Sequence, residues 1–205
     1  MDPDATALDV ILDAAAIAAH VDRIAAEIAA TTRDRPLVAM PVLFGALFFG
    51  PDLVRRLLAR GVEVADVVPV TVSSYGASPA ADATVSSGEP LVRGLPRRPS
   101  IEGRDVLVID TIVDTGATIE RLAHDLSALG ATSVRTACLL DKVARRARPV
   151  APTWRGITAP DRFLVGYGLD LSGRWRGLPV VGAIGVRDPS PTGRAATSPS
   201  SPPRR

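Results

Sequence analysis

The stretch Val106-Leu107-Val108-Ile109-Asp110-Thr111-Ile112-Val113-Asp114-Thr115-Gly116-Ala117-Thr118 changes character twice. Its first four residues are apolar and mostly β-branched, the composition of a buried strand in a parallel sheet. The run stops at Asp110. Residues 114–118 form a short loop of one acid, two hydroxyls and a glycine. Apolar positions Ile119, Leu122, Ala123, Leu126 and Leu129 then recur at helical spacing up to Gly130, a residue suited to a helix C-terminus. A helix start presents unpaired N–H groups and the positive end of the dipole, which suits a phosphate. Thr115 and Thr118 add hydroxyl donors, and Gly116 lets the backbone approach a ligand closely. Asp110 and Asp114 do not suit a phosphate. They can accept hydrogen bonds from ribose hydroxyls, hold a metal or take a proton. The plain alternative is an ordinary turn of a doubly wound sheet, whose acids only cap the helix.

Outward from this stretch, residues 133–140 read as a further strand ending in Asp141-Lys142. Open α/β sheets bind ligands at the C-terminal ends of their strands, so Lys142 falls on the functional rim. Of 24 basic residues it is the only lysine. A compact ammonium there offers a point donor that a guanidinium cannot. Residues 145–152 read as a basic, proline-containing, solvated connection. Residues 154–157 and 163–166 are short strand candidates, and 178–184 a closing strand. Towards the N-terminus, residues 37–43 read as a second buried strand that turns at Phe44-Gly45-Ala46 into a helix closed by Gly61. Residues 62–74 read as one strand with Pro69 at an edge or bulge. Residues 14–30 carry Ile17, Val21, Ile24 and Ile28 at helical spacing. Residues 1–13 carry little signal. Residues 77–90, rich in Ala, Ser, Pro and Gly, cannot pack a core and are expected to be mobile.

The 205 residues, 46% of them hydrophobic, fit one domain over 1–187. A tail over 188–205, rich in Ser, Pro and Arg, is expected to be disordered. No apolar run reaches transmembrane length, and no secretory signal opens the chain. A cytoplasmic protein without a membrane partner is the expectation. A net charge of +2 gives no nucleic-acid signal. Cys138, the single cysteine, sits in an apolar run as a buried thiol. His20 and His124 lack partners at metal spacing.

Residues 109–118 resemble the ribose-phosphate signature of the type I phosphoribosyltransferases, an acidic pair followed by Ile/Val-Asp-Thr-Gly-x-Thr. Leu139-Leu140-Asp141-Lys142 and the run from Pro160 to Asp170 narrow the resemblance to the hypoxanthine-guanine phosphoribosyltransferases, from about Leu8 to Val186. The resemblance implies an α/β fold: an open, mostly parallel sheet flanked by helices, with a small hood and a mobile lid loop over about 75–90. It implies transfer of 5-phosphoribosyl from phosphoribosyl pyrophosphate to a purine-like base, with Mg²⁺, in a homodimer or homotetramer. It gives Asp110 and Thr111 to the ribose side, and Thr115, Gly116, Ala117 and Thr118 to the 5′-phosphate. Asp114 is the general base, and Lys142 donates to the exocyclic oxygen of the base. Phe163 stacks on the purine, and the backbone of Leu164 reads its edge. Gly45 and Arg176 bind pyrophosphate, Asp170 helps to hold Mg²⁺, and Ser74 and Tyr75 open the lid. This chain departs from the pattern at Thr111, where the family has an acid, and at Phe44 and Ala117, where it has lysines. Those changes also fit a specialised relative acting on a modified purine or deazapurine in secondary metabolism. Two readings of another class stay open. One is a non-catalytic relative that binds nucleotide without releasing pyrophosphate. The other is a nucleic-acid-binding regulator, for which the N-terminal stretch is too short and too neutral.

Overall fold

The computed structural model describes residues 8–32, 35–73 and 90–184. The lid residues Ser74 and Tyr75, the rest of the lid up to residue 89, and the tail from 188 lie outside these.

The sheet is built on two neighbouring parallel strands, β2 (Leu37–Leu43) and β6 (Asp105–Val113). Their apolar runs alternate between two cores. Leu37 and Ala39 of β2, with Leu107 and Ile109 of β6, face one side. Val38, Met40 and Val42, with Val106 and Val108, face the other. Both faces are buried, which is why the sequence reads as continuous apolar runs and not as alternation. On the first side lie α1 (Ala14–Thr31) and α2 (Phe49–Leu58). Ile17, Val21, Ile24 and Ile28 of α1 are buried at three- and four-residue spacing, and Asp13 caps the helix by accepting the Ala16 N–H at 2.8 Å. On the second side α3 (Ala117–Ala128) buries Leu122 and Leu126.

The sheet continues through β7 (Ser133–Asp141) and β8 (Trp154–Thr158), both parallel to β6. Beyond β2 lie β4 (Val70–Ser73) and β5 (Leu91–Arg93), which pair antiparallel, while β3 (Val64–Val67) joins β2 separately. The single strand expected over 62–74 is therefore two. Pro69 has no N–H for a ladder, and the strand is interrupted at residues 68–69.

A second, three-stranded sheet forms the hood: β1 (Leu8–Leu12), β10 (Val181–Ile184) and β9 (Leu164–Val165), in that antiparallel order. The N-terminal residues that carried little sequence signal supply its edge strand. No helix among the described residues is long and apolar enough to cross a membrane.

Candidate active site

A cavity of about 540 Å³ opens at the C-terminal ends of β2, β6 and β7 and is closed on one side by the hood. From β6 come Asp110 and Ile112, and past its end Asp114 and Thr118. β7 delivers Lys142, the β2 turn delivers Phe44 and Gly45, and the hood delivers Phe163, Leu164, Asp170 and Arg176. Nine of these, all but Ile112 and Phe44, are residues to which the resemblance gives a role in the site.

Asp110 is buried, and its carboxyl is pushed up to about 7 by desolvation, against the N–H groups of Ile112 and Thr111 that favour the charged form. Asp114 lies at the loop entrance. Its Oδ1 has no hydrogen-bond partner among the described residues, yet Arg145 Nε stands 3.2 Å away in an ion pair. The guanidinium approaches that oxygen without hydrogen-bond geometry. Lys142 is 5% exposed, and Asp161 Oδ1 lies 3.9 Å from its Nζ.

Four expected ligand residues do not line the cavity. Thr111 is fully buried, and its hydroxyl donates to the Gly45 carbonyl at 2.8 Å. An ionised acid could not make that bond, so the departure at this position serves the β2 turn and not the ligand directly. Thr115, Gly116 and Ala117 form the back of the loop. The Thr115 carbonyl accepts the N–H groups of Ala147 and Arg148, both at 3.0 Å. Gly116 has φ 90°, and a Cβ there would stand 2.7 Å from Val150 Cγ2. Only glycine fits both the backbone and the neighbour.

The connection after Lys142 is not the solvated loop expected. Arg146 is largely buried. It donates to Asp141 and to the carbonyls of Val150, at 2.6 Å, and Asp114, at 3.2 Å. A buried carboxylate at position 141 requires such cations, and Arg155 completes its shell at 3.1 Å. Arg145, three residues beyond Lys142, enters the cavity. Sequence reading passed over it as one of several loop arginines. Its signal was its distance from a strand C-terminus.

On the hood wall, Arg176 pairs with Asp170 Oδ1 and donates to the Gly168 carbonyl at 2.6 Å. Its guanidinium carbon lies 5.7 Å from the centre of the Phe44 ring. Asp170 Oδ2 accepts the Gly173 N–H at 2.6 Å. Tyr167, at φ 48°, is buried. Its hydroxyl donates to Asp52 at 2.7 Å, and burial with that acid pushes its phenol up. Phe48 stacks on its ring.

Residues 7–172 match the phosphoribosyl transferase domain. The chain belongs to the phosphoribosyltransferase family. Within that family it is similar to the hypoxanthine-guanine phosphoribosyltransferase of Bacillus subtilis, 35% identical over 85% of this chain and 92% of that protein. The Mycobacterium avium enzyme of the same name is 34% identical over 87% and 86%. Among solved structures, the hypoxanthine phosphoribosyltransferase of Staphylococcus aureus superposes with a TM-score of 0.75 at 30% identity, over 86% of this chain and 91% of that one. That of Trypanosoma cruzi gives 0.76 at 30%, over 90% and 94%. The phosphoribosyltransferase fold expected from the sequence is the fold found.

Proposed function

We propose that the chain transfers the 5-phosphoribosyl group from phosphoribosyl pyrophosphate to a ring nitrogen of a 6-oxopurine, giving the nucleoside 5′-monophosphate and pyrophosphate. One observation carries the reading. Asp114 and Thr118, the two ends of the loop, line one cavity with Lys142 and the Phe163–Leu164 wall, so a phosphate site and an aromatic-walled base site open into the same space.

The obstacle to reaction is charge, because pyrophosphate leaves as the anomeric carbon becomes cationic. The loop at the start of α3 fixes the 5′-phosphate and so orients the ribose. Asp110 accepts from ribose hydroxyls. Asp114 takes the proton from the base nitrogen. Lys142 donates to the 6-oxygen, Phe163 stacks on the ring and the Leu164 backbone reads its edge. Arg176 and the Gly45 turn receive pyrophosphate, with Ser74 and Tyr75 as lid residues.

Mg²⁺ fits this donor set in one way. Both oxygens of Asp170 already accept protein donors, and no cluster of three or more acids, histidines or cysteines among the described residues could hold a metal alone. Each carboxylate oxygen keeps a further lone pair. A Mg²⁺ that retains waters and takes other ligands from substrate phosphate needs no more than one such carboxylate. Bound there, it would neutralise charge on the leaving pyrophosphate.

The same reading places the protein in the cytoplasm as a homodimer or homotetramer. Leu47 and Phe48, exposed beside the site, are candidate contacts, and light scattering measures the assembly. The deciding experiment is pyrophosphate release with hypoxanthine, guanine, xanthine, adenine and deazapurines. Release with 6-oxopurines and not with adenine is expected. Tight nucleotide binding with no release from any base would replace transfer by binding alone.

A further inference from the structure

The loop from Asp114 to Thr118 contains no cation, yet the 5′-phosphate it is proposed to bind carries about −1.5 to −2 charge. Among the described residues, three cations line the cavity: Lys142, Arg176 and Arg145. Lys142 stands near Asp161 and faces the base region. Arg176 is held on the hood by Asp170 and Gly168. Nearby, Arg146 is turned inward to Asp141, and Arg148 is paired with Glu120 at 3.4 Å. Arg145 alone stands beside the loop inside the cavity.

Its backbone is fixed. Its N–H donates to the Lys142 carbonyl at 3.1 Å, and the two residues after Arg146 donate to the Thr115 carbonyl. The guanidinium is half-exposed, and its Nε rests 3.2 Å from Asp114 Oδ1 without a hydrogen bond. That pairing is loose, and a dianionic phosphate offers the guanidinium two parallel hydrogen bonds in its place.

We propose that Arg145 is the cation of the 5′-phosphate site, and that it leaves Asp114 for the phosphate when the phosphoribosyl group binds. The consequence is an order of events. Asp114 is occupied by Arg145 in the free protein, and its Oδ1 is released to take the proton of the base once the sugar phosphate has arrived. This rests on the transferase reading above.

Calorimetry with inosine 5′-monophosphate and inosine tests it, because the two ligands differ only in the phosphate. The full chain should prefer the monophosphate, and Arg145→Gln should reduce that preference by about 10- to 100-fold while inosine binding stays within about twofold. A preference left intact in Arg145→Gln, or an equal loss for both ligands, would overturn the proposal. Should that variant fail to fold, Arg145→Lys decides. It keeps the charge without the fork, so the preference should drop severalfold, and an unchanged preference counts against the proposal. A wild-type chain with no preference for the monophosphate would overturn the transferase reading itself, a result distinct from failure at Arg145 alone.

Discussion

β2 and β6 lie side by side, run in the same direction, and each leads through a turn to a helix at the same cavity. After β6 the turn offers N–H groups, two hydroxyls and Asp114, and the helix follows at once from Gly116. After β2 the turn offers Phe44, 60% exposed, and then a short 3₁₀ segment over Gly45–Leu47 before α2 begins. The backbone plan is shared and the chemistry is not. The β6 turn carries its own polar groups. The β2 turn carries none, and its positive charge arrives from the hood, where Arg176 lies over the Phe44 ring. Its shape is held from both neighbours. The Gly45 carbonyl is wedged between the Thr111 hydroxyl and Gly168, where a Cβ would stand 1.9 Å from that oxygen. The β2 turn therefore depends on an adjoining element for the positive charge beside it.

The contrast predicts a hierarchy of effects. Asp114→Asn, on the β6 side, should lower kcat by about 10²–10⁴ with little change in substrate affinity, the range for a general base. An unchanged single-turnover rate would remove the proton-transfer role from that turn.

Asp110 belongs to the same strand but should be read out through stability. Its carboxyl is raised from 3.8 to about 7, so the folded state keeps a proton that the unfolded chain releases. This contribution is complete below about pH 4, is lost as pH rises to about 7, and is flat above; in all it is worth up to roughly 4 kcal/mol. Asp110→Asn should therefore gain on wild type in denaturant titrations between about pH 5 and 7 and then hold its lead. A pH-independent difference would show that Asp110 is ionised throughout.

Lys142→Ala should cost about 1.5–3 kcal/mol of transition-state stabilisation with a 6-oxo base and little with a 6-amino base. Lys142→Arg should not restore it, because the fork is larger and differently directed. Full activity of the Arg variant would reduce Lys142 to a strand-end charge.

The smallest effect is expected at the β2 turn. Phe44→Ala removes a half-exposed ring under Arg176, worth about 0.5–1 kcal/mol. The KM for phosphoribosyl pyrophosphate should rise a few-fold while kcat and melting temperature hold. A loss of tenfold or more would mean that the β2 turn is as chemically committed as its neighbour.

The two turns also differ in how far they could be read from sequence. The β6 turn was legible because strand, polar loop and helix follow one another without interruption, and each has its own periodicity. β2, β7, α1 and α3 were legible for the same reason. The place of the β2 turn was legible too, but what holds its shape was not, since a hydroxyl on β6 and a glycine on the hood fix its carbonyl, and both are more than sixty residues away. Arg145 and Arg146 look alike in the sequence and face opposite ways in the fold, because buried Asp141 attracts one of them. β1 was missed because a short edge strand takes its pattern from its partner: a Cβ at Gly182 of β10 would stand 2.4 Å from Leu8 Cγ.

The chain's one lysine side chain lies 5% exposed in the wall of the cavity. Its only side-chain amine is therefore the group proposed to recognise the base. A reagent that acylates amines has a single internal target, and a ligand resting on that amine shields it. Mass spectrometry of the peptide containing Lys142, taken with and without a bound nucleotide, turns an accident of composition into an occupancy gauge that needs no engineered label.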